Sequence, residues 1–504
     1  MYAILQSGCL NGLEISLVQV EVDLQRGLPL FCIVGLPDPA VRESRDRVRS
    51  ALKNAPFEFP MKRITVNLAP AHLKKEGSSF ELAIALGLIM AEQEWESAPF
   101  KHFLFLGELS LKGELQPVKG VLPLVLEAKR RGFTTVCLPS QNALEASAVS
   151  GMTVYAIRSL SEIVQFLKKE IDLKPTLFEM KEEKSEHELL DFSDVRGQKW
   201  AKKAFEIAAA GGHHILTVGP PGCGKSMLAK RLPTILPSLG FEESLEITRI
   251  YSVAGHLKNG GLIRQRPFRS PHHTISYSAM AGGGHRMLVP GEVSLSHHGI
   301  LFLDELGEFR KEVLEVLREP LEERKISISR VTGRTIYPAN FLLVAAMNPC
   351  PCGYYKDLKK ECHCSEVDIR RYRFKISGPL LDRIDIHVSL SQLLVKDLSA
   401  AKDEETSTEI LERVVTARKI EKERYQNTPF QMNSDLSLKA IEAFCHLRPE
   451  AEKILNQAME RFGLSLRSRH RILKISRTIA DLSGEKEICS SDIAQALQLR
   501  FLDR

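Results

Sequence analysis

The chain of 504 residues lacks any run near the roughly 20 consecutive apolar residues that cross a bilayer, so no helical membrane span is expected. Its first residues, MYAILQSGCLNG, lack the basic segment and long apolar run of a secretory leader, and none is expected. A strong charge of either sign is missing as well. Lys and Arg number 69 against 63 Asp and Glu, a formal +6 that permits nucleic-acid binding without arguing for it. Any such case must come from local patches. There is no internal repeat, no low-complexity tract and no dense disulfide framework. Cys9, Cys32, Cys137, Cys223, Cys445 and Cys489 stand singly, mostly in apolar surroundings, as reduced cytosolic thiols do. The expectation is a soluble cytoplasmic protein, 43% hydrophobic, of two or three domains with sizeable cores.

Organisation along the chain follows from periodicity. Residues 1–168 alternate short apolar runs (FCIVGL, ITVNLAP, FLFLGEL, TTVCLP) with helical patterns such as FELAIALGLIMAEQ, which predicts an α/β or α+β domain. Residues 169–189 are charged, contain Pro and lack apolar periodicity, as a linker does. A second α/β pattern fills 190–395, with strand candidates HHILTVG, GILFLDE, FLLVAAMN and RIDIHVSL. Residues 396–504 turn helical, with Ile472, Ile475, Ile479 and Leu482 at three- and four-residue spacing.

The stretch HHILTVGPPGCGKSMLAKRL holds Gly219, Pro220, Pro221, Gly222, Cys223, Gly224, Lys225, Ser226 and Met227 between a strand and a helix. That is the context a P-loop needs. Its glycines let backbone N–H groups close around phosphate oxygens, and the helix N-terminus favours the anion. Lys225 is expected to reach the β- and γ-phosphates of ATP, and Ser226 to ligate Mg²⁺. GILFLDELGEF then ends a hydrophobic strand in Asp304 and Glu305, placed to assist the Mg²⁺ and to position water. The strand FLLVAAMN ends in Asn348, whose carboxamide could orient that water beside the γ-phosphate. Together these strands imply a parallel sheet with its ligand at the carboxyl ends.

GPPGCGKS, ILFLDE and AAMNP resemble AAA+ ATPases, and SPHHTISYSAMAGGG and PLEERKISISRVTGRTIYPANF resemble their magnesium-chelatase-like branch. The resemblance implies a helix-2 insert, a pre-sensor-1 hairpin and a helical lid. It also implies an arginine finger at Arg383 in GPLLDRIDIHV, with Arg370 and Arg371 as rivals, and a sensor-2 arginine at Arg467 in the Ser-x-Arg of GLSLRSRHRILKISRTIADL. An isolated arginine is normally a solvated side chain, so these roles rest on the motif match.

The first domain resembles the proteolytic domain of Lon proteases. KKEGSSFELAIALGLI matches the segment of Lon's nucleophile, with Ser79 nearest, and PVKGVLPLVLEAKRRGFTTVCLPSQN matches the segment of its catalytic lysine. Leu122 and Leu124 stand where that lysine aligns, and Lys119 and Lys129 fall out of register. A serine–lysine dyad needs a lysine that can deprotonate the hydroxyl, so a Lon-like fold without peptidase activity is expected.

Such a domain followed by this AAA+ module is the arrangement of the ComM (YifB) family. That resemblance covers essentially the whole chain, and it implies a homohexameric, DNA-stimulated ATPase acting as a helicase during homologous integration of DNA taken up in natural transformation. DNA contacts are expected from three places. Drawn at 3.6 residues per turn, PAVRESRDRVRSALKN puts Arg42, Arg45, Arg49 and Lys53 on an arc about 80° wide. The hairpin KISISRVTGRTIYP offers Lys325, Arg330 and Arg334, and the helix-2 insert offers Arg269, His272, His273 and Arg286. A solvated helix face and a structural hairpin are the plainer readings. Two other functions compete: an ATPase subunit of a metal-insertion enzyme, whose pattern lacks the Lon-like domain, and an ATP-dependent protease, against which the missing lysine counts.

Four cysteines remain, in NPCPCGYYKDLKKECHCS. Cys350, Cys352, Cys362 and Cys364 form two Cys-x-Cys pairs nine residues apart, in the loop 348–365. Redox pairs show Cys-x-x-Cys at a helix start, which is absent here. Two close thiolate pairs can surround one tetrahedral Zn²⁺, with His363 as a substitute ligand. The alternative is four free thiols in an irregular loop. The expectation is a structural zinc clip at the subunit interface.

Overall fold

A computed structural model describes residues 1–11, 14–73, 75, 77–178, 190–257, 261–284, 288–330, 333–357, 360–392, 404–500 and 502. Arg286, the expected linker from 179 onward and the expected boundary near 395 lie outside the described residues, as does the side chain of Arg330. The protein is mixed α/β with parallel sheets and a C-terminal helical region.

The first sheet comprises β1 (Tyr2–Asn11), β2 (Glu14–Gln25), β3 (Leu30–Val34), β4 (Arg63–Ala69), β5 (Phe103–Phe105), β8 (Thr135–Pro139) and β9 (Thr153–Ile157), in the order β3-β4-β2-β1-β5-β8-β9. A short ribbon of β6 (Glu108–Leu109) and β7 (Leu115–Gln116) lies between β5 and β8 in the chain. The helix Glu81–Glu92 is apolar all round, so it is buried from Glu81 to Ala91 against β1 and β2. Its Gly87 is required there, since a Cβ would stand 2.6 Å from Val22 Cγ2. The helix Pro39–Asn54 is amphipathic instead. Asp38 Oδ1 caps it by accepting the Val41 N–H at 2.7 Å, and Val41, Val48 and Leu52 face the core.

The second sheet is all parallel, β11 (Phe268–Arg269), β14 (Ile300–Leu303), β17 (Leu342–Met347), β10 (Ile215–Val218) and β18 (Ile386–Ser389), in the order β11-β14-β17-β10-β18. Every residue of β10, β14 and β17 is buried, because helices cover both faces of a parallel sheet. A ribbon of β12 (Gly282–Gly283) with β13 (Val289–Pro290) lies between β11 and β14, and the hairpin of β15 (Lys325–Arg330) with β16 (Gly333–Pro338) precedes β17. The C-terminal helices share one core with this sheet: Ile472, Ile475 and Ile479 of the helix Leu466–Leu482 join Phe205, Val344 and Ile386.

The two α/β bodies meet at the helix Phe241–Ala254. Val253 enters the core of the first body beside Leu122 and Val125, and the Gly120 N–H donates to Ser252 O at 3.1 Å. Glu145, buried and with its pKa raised by desolvation, accepts from the Leu122 N–H at 2.8 Å and from the Ser252 hydroxyl. Leu122 and Leu124, the positions aligned with Lon's lysine, are therefore core residues behind a docking surface. Ser79 donates to Gly8 O at 2.6 Å, a backbone carbonyl and not a base.

Candidate nucleotide site and the cysteine cluster beside it

The phosphate loop joins β10 to the helix Lys225–Arg231 at the point where the sheet order reverses, with β17 on one side and β18 on the other. Gly219 must be glycine, because a Cβ would meet Leu390 O at 2.6 Å and Cys223 Sγ at 2.8 Å. Gly222 and Gly224 lie in the left-handed region, φ +77° and +97°, and turn the backbone into the helix. Lys225 Nζ, its pKa lowered by burial, donates to Gly219 O at 2.6 Å, Pro220 O at 3.0 Å and Asn348 Oδ1 at 3.1 Å. The Ser226 hydroxyl donates to Asp304 Oδ2 at 2.6 Å. Thus the ends of three strands bring Lys225, Ser226, Asp304 and Asn348 to one place. Glu305 follows Asp304 in a left-handed conformation, φ +53°, which turns it out of the strand line. Its Oε2 lies 3.3 Å from Nδ1 of His273, in the segment between β11 and β14.

The cysteine loop leaves the same end of the sheet. Cys350 Sγ lies 3.4 Å from Cys352 Sγ and 3.7 Å from Cys362 Sγ, and Cys352 and Cys362 are 3.6 Å apart. The Cys352 N–H points at Cys364 Sγ at 3.4 Å, and all four sulfurs lie within 4.8 Å of one another. A disulfide needs about 2.05 Å. Four thiolates about 2.3 Å from a tetrahedral Zn²⁺ have sulfur–sulfur edges of about 3.8 Å, close to these spacings. The Tyr354 N–H brings the Cys352 thiol down to about 6. His363 is outside the cluster. The loop also presses on the phosphate loop: a Cβ at Gly353 would meet Pro221 Cδ at 2.7 Å and Asn348 Cγ at 3.8 Å.

Arg383 and Arg467 lie elsewhere. Arg383 precedes β18 and Asn348 follows β17, so in a parallel sheet they occupy opposite ends. Asp382 gathers the arginines there, with Arg467 at 3.6 Å and Arg471 at 3.6 Å. Asp382, Arg383 and Arg471 line a cleft of ≈ 340 Å³ there. The finger rivals Arg370 and Arg371 are exposed on the helix Glu366–Arg373, which starts two residues after Cys364. The expected link through the cysteine loop, from Asn348 to the finger, is one of sequence; in space the loop serves the phosphate side.

The expected DNA-contact residues divide. Arg42, Arg45, Arg49 and Lys53 are all exposed along the helix Pro39–Asn54, and Arg45 pairs with its neighbour Asp46 at 3.3 Å. Lys325 and Arg334 are exposed on the hairpin, Lys325 3.3 Å from Glu323. Arg269 is instead committed to Glu292 by two bonds of 2.6 Å, which ties β11 to the helix Glu292–Leu295. Glu246, His297 and His298 form a second cluster of potential ligands. The Asn340 N–H donates to His297 Nδ1 at 3.0 Å, so the ring's proton sits on Nε2 and points at Glu246, also at 3.0 Å. That arrangement is a hydrogen-bond network, which holds Glu246 at about 2.

Family models support the reading of this site. One described as magnesium chelatase, subunit ChlI, matches residues 191–398, one for that subunit's C-terminal part matches 404–500, and one described as subunit ChlI of Mg-chelatase matches 20–142. The competence protein ComM of Haemophilus influenzae is 44% identical over 507 residues, covering 100% of this chain and 98% of the relative. The chain belongs to the ComM/YifB family of magnesium-chelatase-like AAA+ proteins. YifB of Escherichia coli is 39% identical over 492 residues, 97% of this chain and 94% of its own. A Lon protease of Roseiflexus castenholzii is 33% identical over 105 residues, 21% of this chain and 13% of its own. Membership of a family of AAA+ ATPases implies ATP and Mg²⁺. Among the described residues no helix is long and apolar enough to cross a membrane. Sequence reasoning missed the contact of Gly353 with Pro221, because it joins residues more than a hundred positions apart with no shared motif. It noted His273 without its partner Glu305, because no motif links the two segments.

Proposed function

We propose that the chain is the subunit of a hexameric, ATP-dependent DNA motor, a helicase that extends branches while incoming DNA is integrated by homologous recombination. The observation that supports this reading is the full-length likeness to a protein named for competence, ComM, which favours a role in natural transformation. Lys225 and the loop Gly219–Gly224 would hold the ATP phosphates, Ser226 and Asp304 the Mg²⁺, which neutralises the charge that develops on phosphoryl transfer. Glu305 would position the attacking water and Asn348 would fix it beside the γ-phosphate. Arg383 and Arg467, on the far end of the sheet from their own Lys225, would act on the nucleotide of the neighbouring subunit. The exposed row Arg42, Arg45, Arg49 and Lys53, repeated around a ring, would face the phosphate backbone, with the hairpin cations moving along it.

Zinc belongs to this proposal. Cys350, Cys352, Cys362 and Cys364 would hold one Zn²⁺ per subunit as a structural ion, and their spacing supports it. The clip then stiffens the wall of the phosphate site rather than the subunit interface. Two other functions remain in competition. A chelatase-type ATPase remodelling a metal-insertion partner gains from the match of residues 20–142 to a chelatase-subunit model. A Lon-like protease loses from Ser79 donating to a backbone carbonyl. The deciding experiment is strand displacement on three- and four-way junctions with and without ATP. DNA-independent turnover and no displacement by a confirmed hexamer would sink the motor, and casein cleavage lost in Ser79→Ala would favour the protease.

A further inference from the structure

The arginine offered to a neighbour is engaged on its own subunit. Arg383 Nη2 donates to Glu322, and Nη1 donates to Pro379 O at 2.5 Å. Its Nε–H is buried and has no acceptor among the described residues, so the guanidinium fork is only partly satisfied in this arrangement. Glu322 lies in the helix Arg318–Glu323, and the next residue, Arg324, stands at φ +54° before Lys325 opens the hairpin of β15 and β16. A side-chain bond ties that helix to the hairpin, the Ser327 N–H donating to Glu319 Oε1 at 3.2 Å, while the Ala339 N–H, donating to Arg324 O at 2.8 Å, closes the hairpin base at the residue that follows the helix. Helix and hairpin are thus joined through Arg324 and this bond.

We propose that Glu322 is a positioning residue that parks Arg383 on its own subunit, so that displacement of the β15–β16 hairpin by DNA releases the arginine toward the neighbour's nucleotide. The proposal rests on the hexameric DNA motor above. A carboxylate and a phosphate compete for the same planar fork, and the phosphate can accept two of its N–H groups in parallel. The competition is mild, because the Glu322 side chain is 59% exposed and solvent screens the pair. A weak hold suits a contact that must break in every cycle.

The test measures ATP turnover of full-length hexamers, confirmed by mass, without and with duplex DNA. Glu322→Gln is expected to raise kcat without DNA by up to about fivefold, the scale of an exposed ion pair, and to leave kcat at saturating DNA unchanged. Stimulation by DNA falls by the same factor. Glu322→Asp restores the wild-type pattern, and Arg383→Ala in the Glu322→Gln background removes the gain. Glu319→Ala, which removes the acceptor that ties helix to hairpin without touching Arg383, lowers DNA stimulation and leaves the basal rate alone. An assembled Glu322→Gln hexamer whose basal kcat is unchanged or lower overturns the proposal, as does undiminished stimulation in Glu319→Ala. A wild type that DNA does not stimulate defeats the motor reading instead, and a raised basal rate in Glu322→Gln would still mark the hold on Arg383.

Discussion

Replacing Gly353 by Ala tests whether the cysteine loop shapes the phosphate site. Two penalties arise at that position. Gly353 sits at φ +86°, where an L side chain costs about 1–2 kcal/mol. The new Cβ would also stand 2.7 Å from Pro221 Cδ and 2.9 Å from Cγ, well inside contact distance. Pro221 is a rigid ring, so the loop or the phosphate loop must shift, at about 1–3 kcal/mol for such overpacking. If the phosphate loop yields, 1.4 kcal/mol is a tenfold loss of affinity, and ATP should bind roughly 5- to 100-fold more weakly. The zinc proposed at the four cysteines, which the substitution leaves in place, should stay at one per subunit. Titration with a fluorescent ATP analogue, alongside metal analysis, reads both quantities. Gly353→Asn separates the causes, because Asn tolerates left-handed backbone but carries the same Cβ. Unchanged ATP affinity in the Ala variant, with zinc retained, would refute the mechanical coupling.

Glu305→Gln should bind ATP and hydrolyse it at least about 100-fold more slowly, and Lys225→Ala should stop turnover; full activity in Glu305→Gln would remove its water-positioning role. Cys352→Ser should release the metal, and protein purified without chelator that contains no zinc would disprove the clip. Glu421, buried in the helix Ser407–Arg424, has its pKa pushed up to about 8 by desolvation, against about 4.5 in the unfolded chain. The folded state keeps a proton that the unfolded state loses between those values. Stability is therefore full below about pH 4.5 and falls as pH rises toward 8, by up to about 1.4 kcal/mol per unit. Glu421→Gln should remove that slope, so its Tm advantage over the wild type should grow from pH 5 to pH 8; an offset equal at both pH values would refute it.

The sequence by itself determined the elements whose signal is local. A strand, a glycine-rich turn and a helix follow from adjacent residues, so the loop at Gly219–Lys225 and the strand ends at Asp304 and Asn348 were legible without coordinates. The exposed row Arg42, Arg45, Arg49 and Lys53 was legible too, since 3.6 residues per turn fixes which side chains share a helix face. Arg269 was misjudged as a free cation, because nothing in the sequence says that Glu292 faces it across the sheet edge. The cysteine loop was read as a clip near the subunit interface because it precedes Arg383 in the chain. Only the tertiary structure decided that parallel strands send Asn348 and Arg383 to opposite ends of the sheet, leaving the cysteines against Pro221. The same holds for Glu322 on Arg383 and Glu145 on Ser252, contacts between residues 61 and 107 positions apart. Periodicity and motif spacing carry information over a turn or a strand; which distant surfaces meet is set by how whole elements pack.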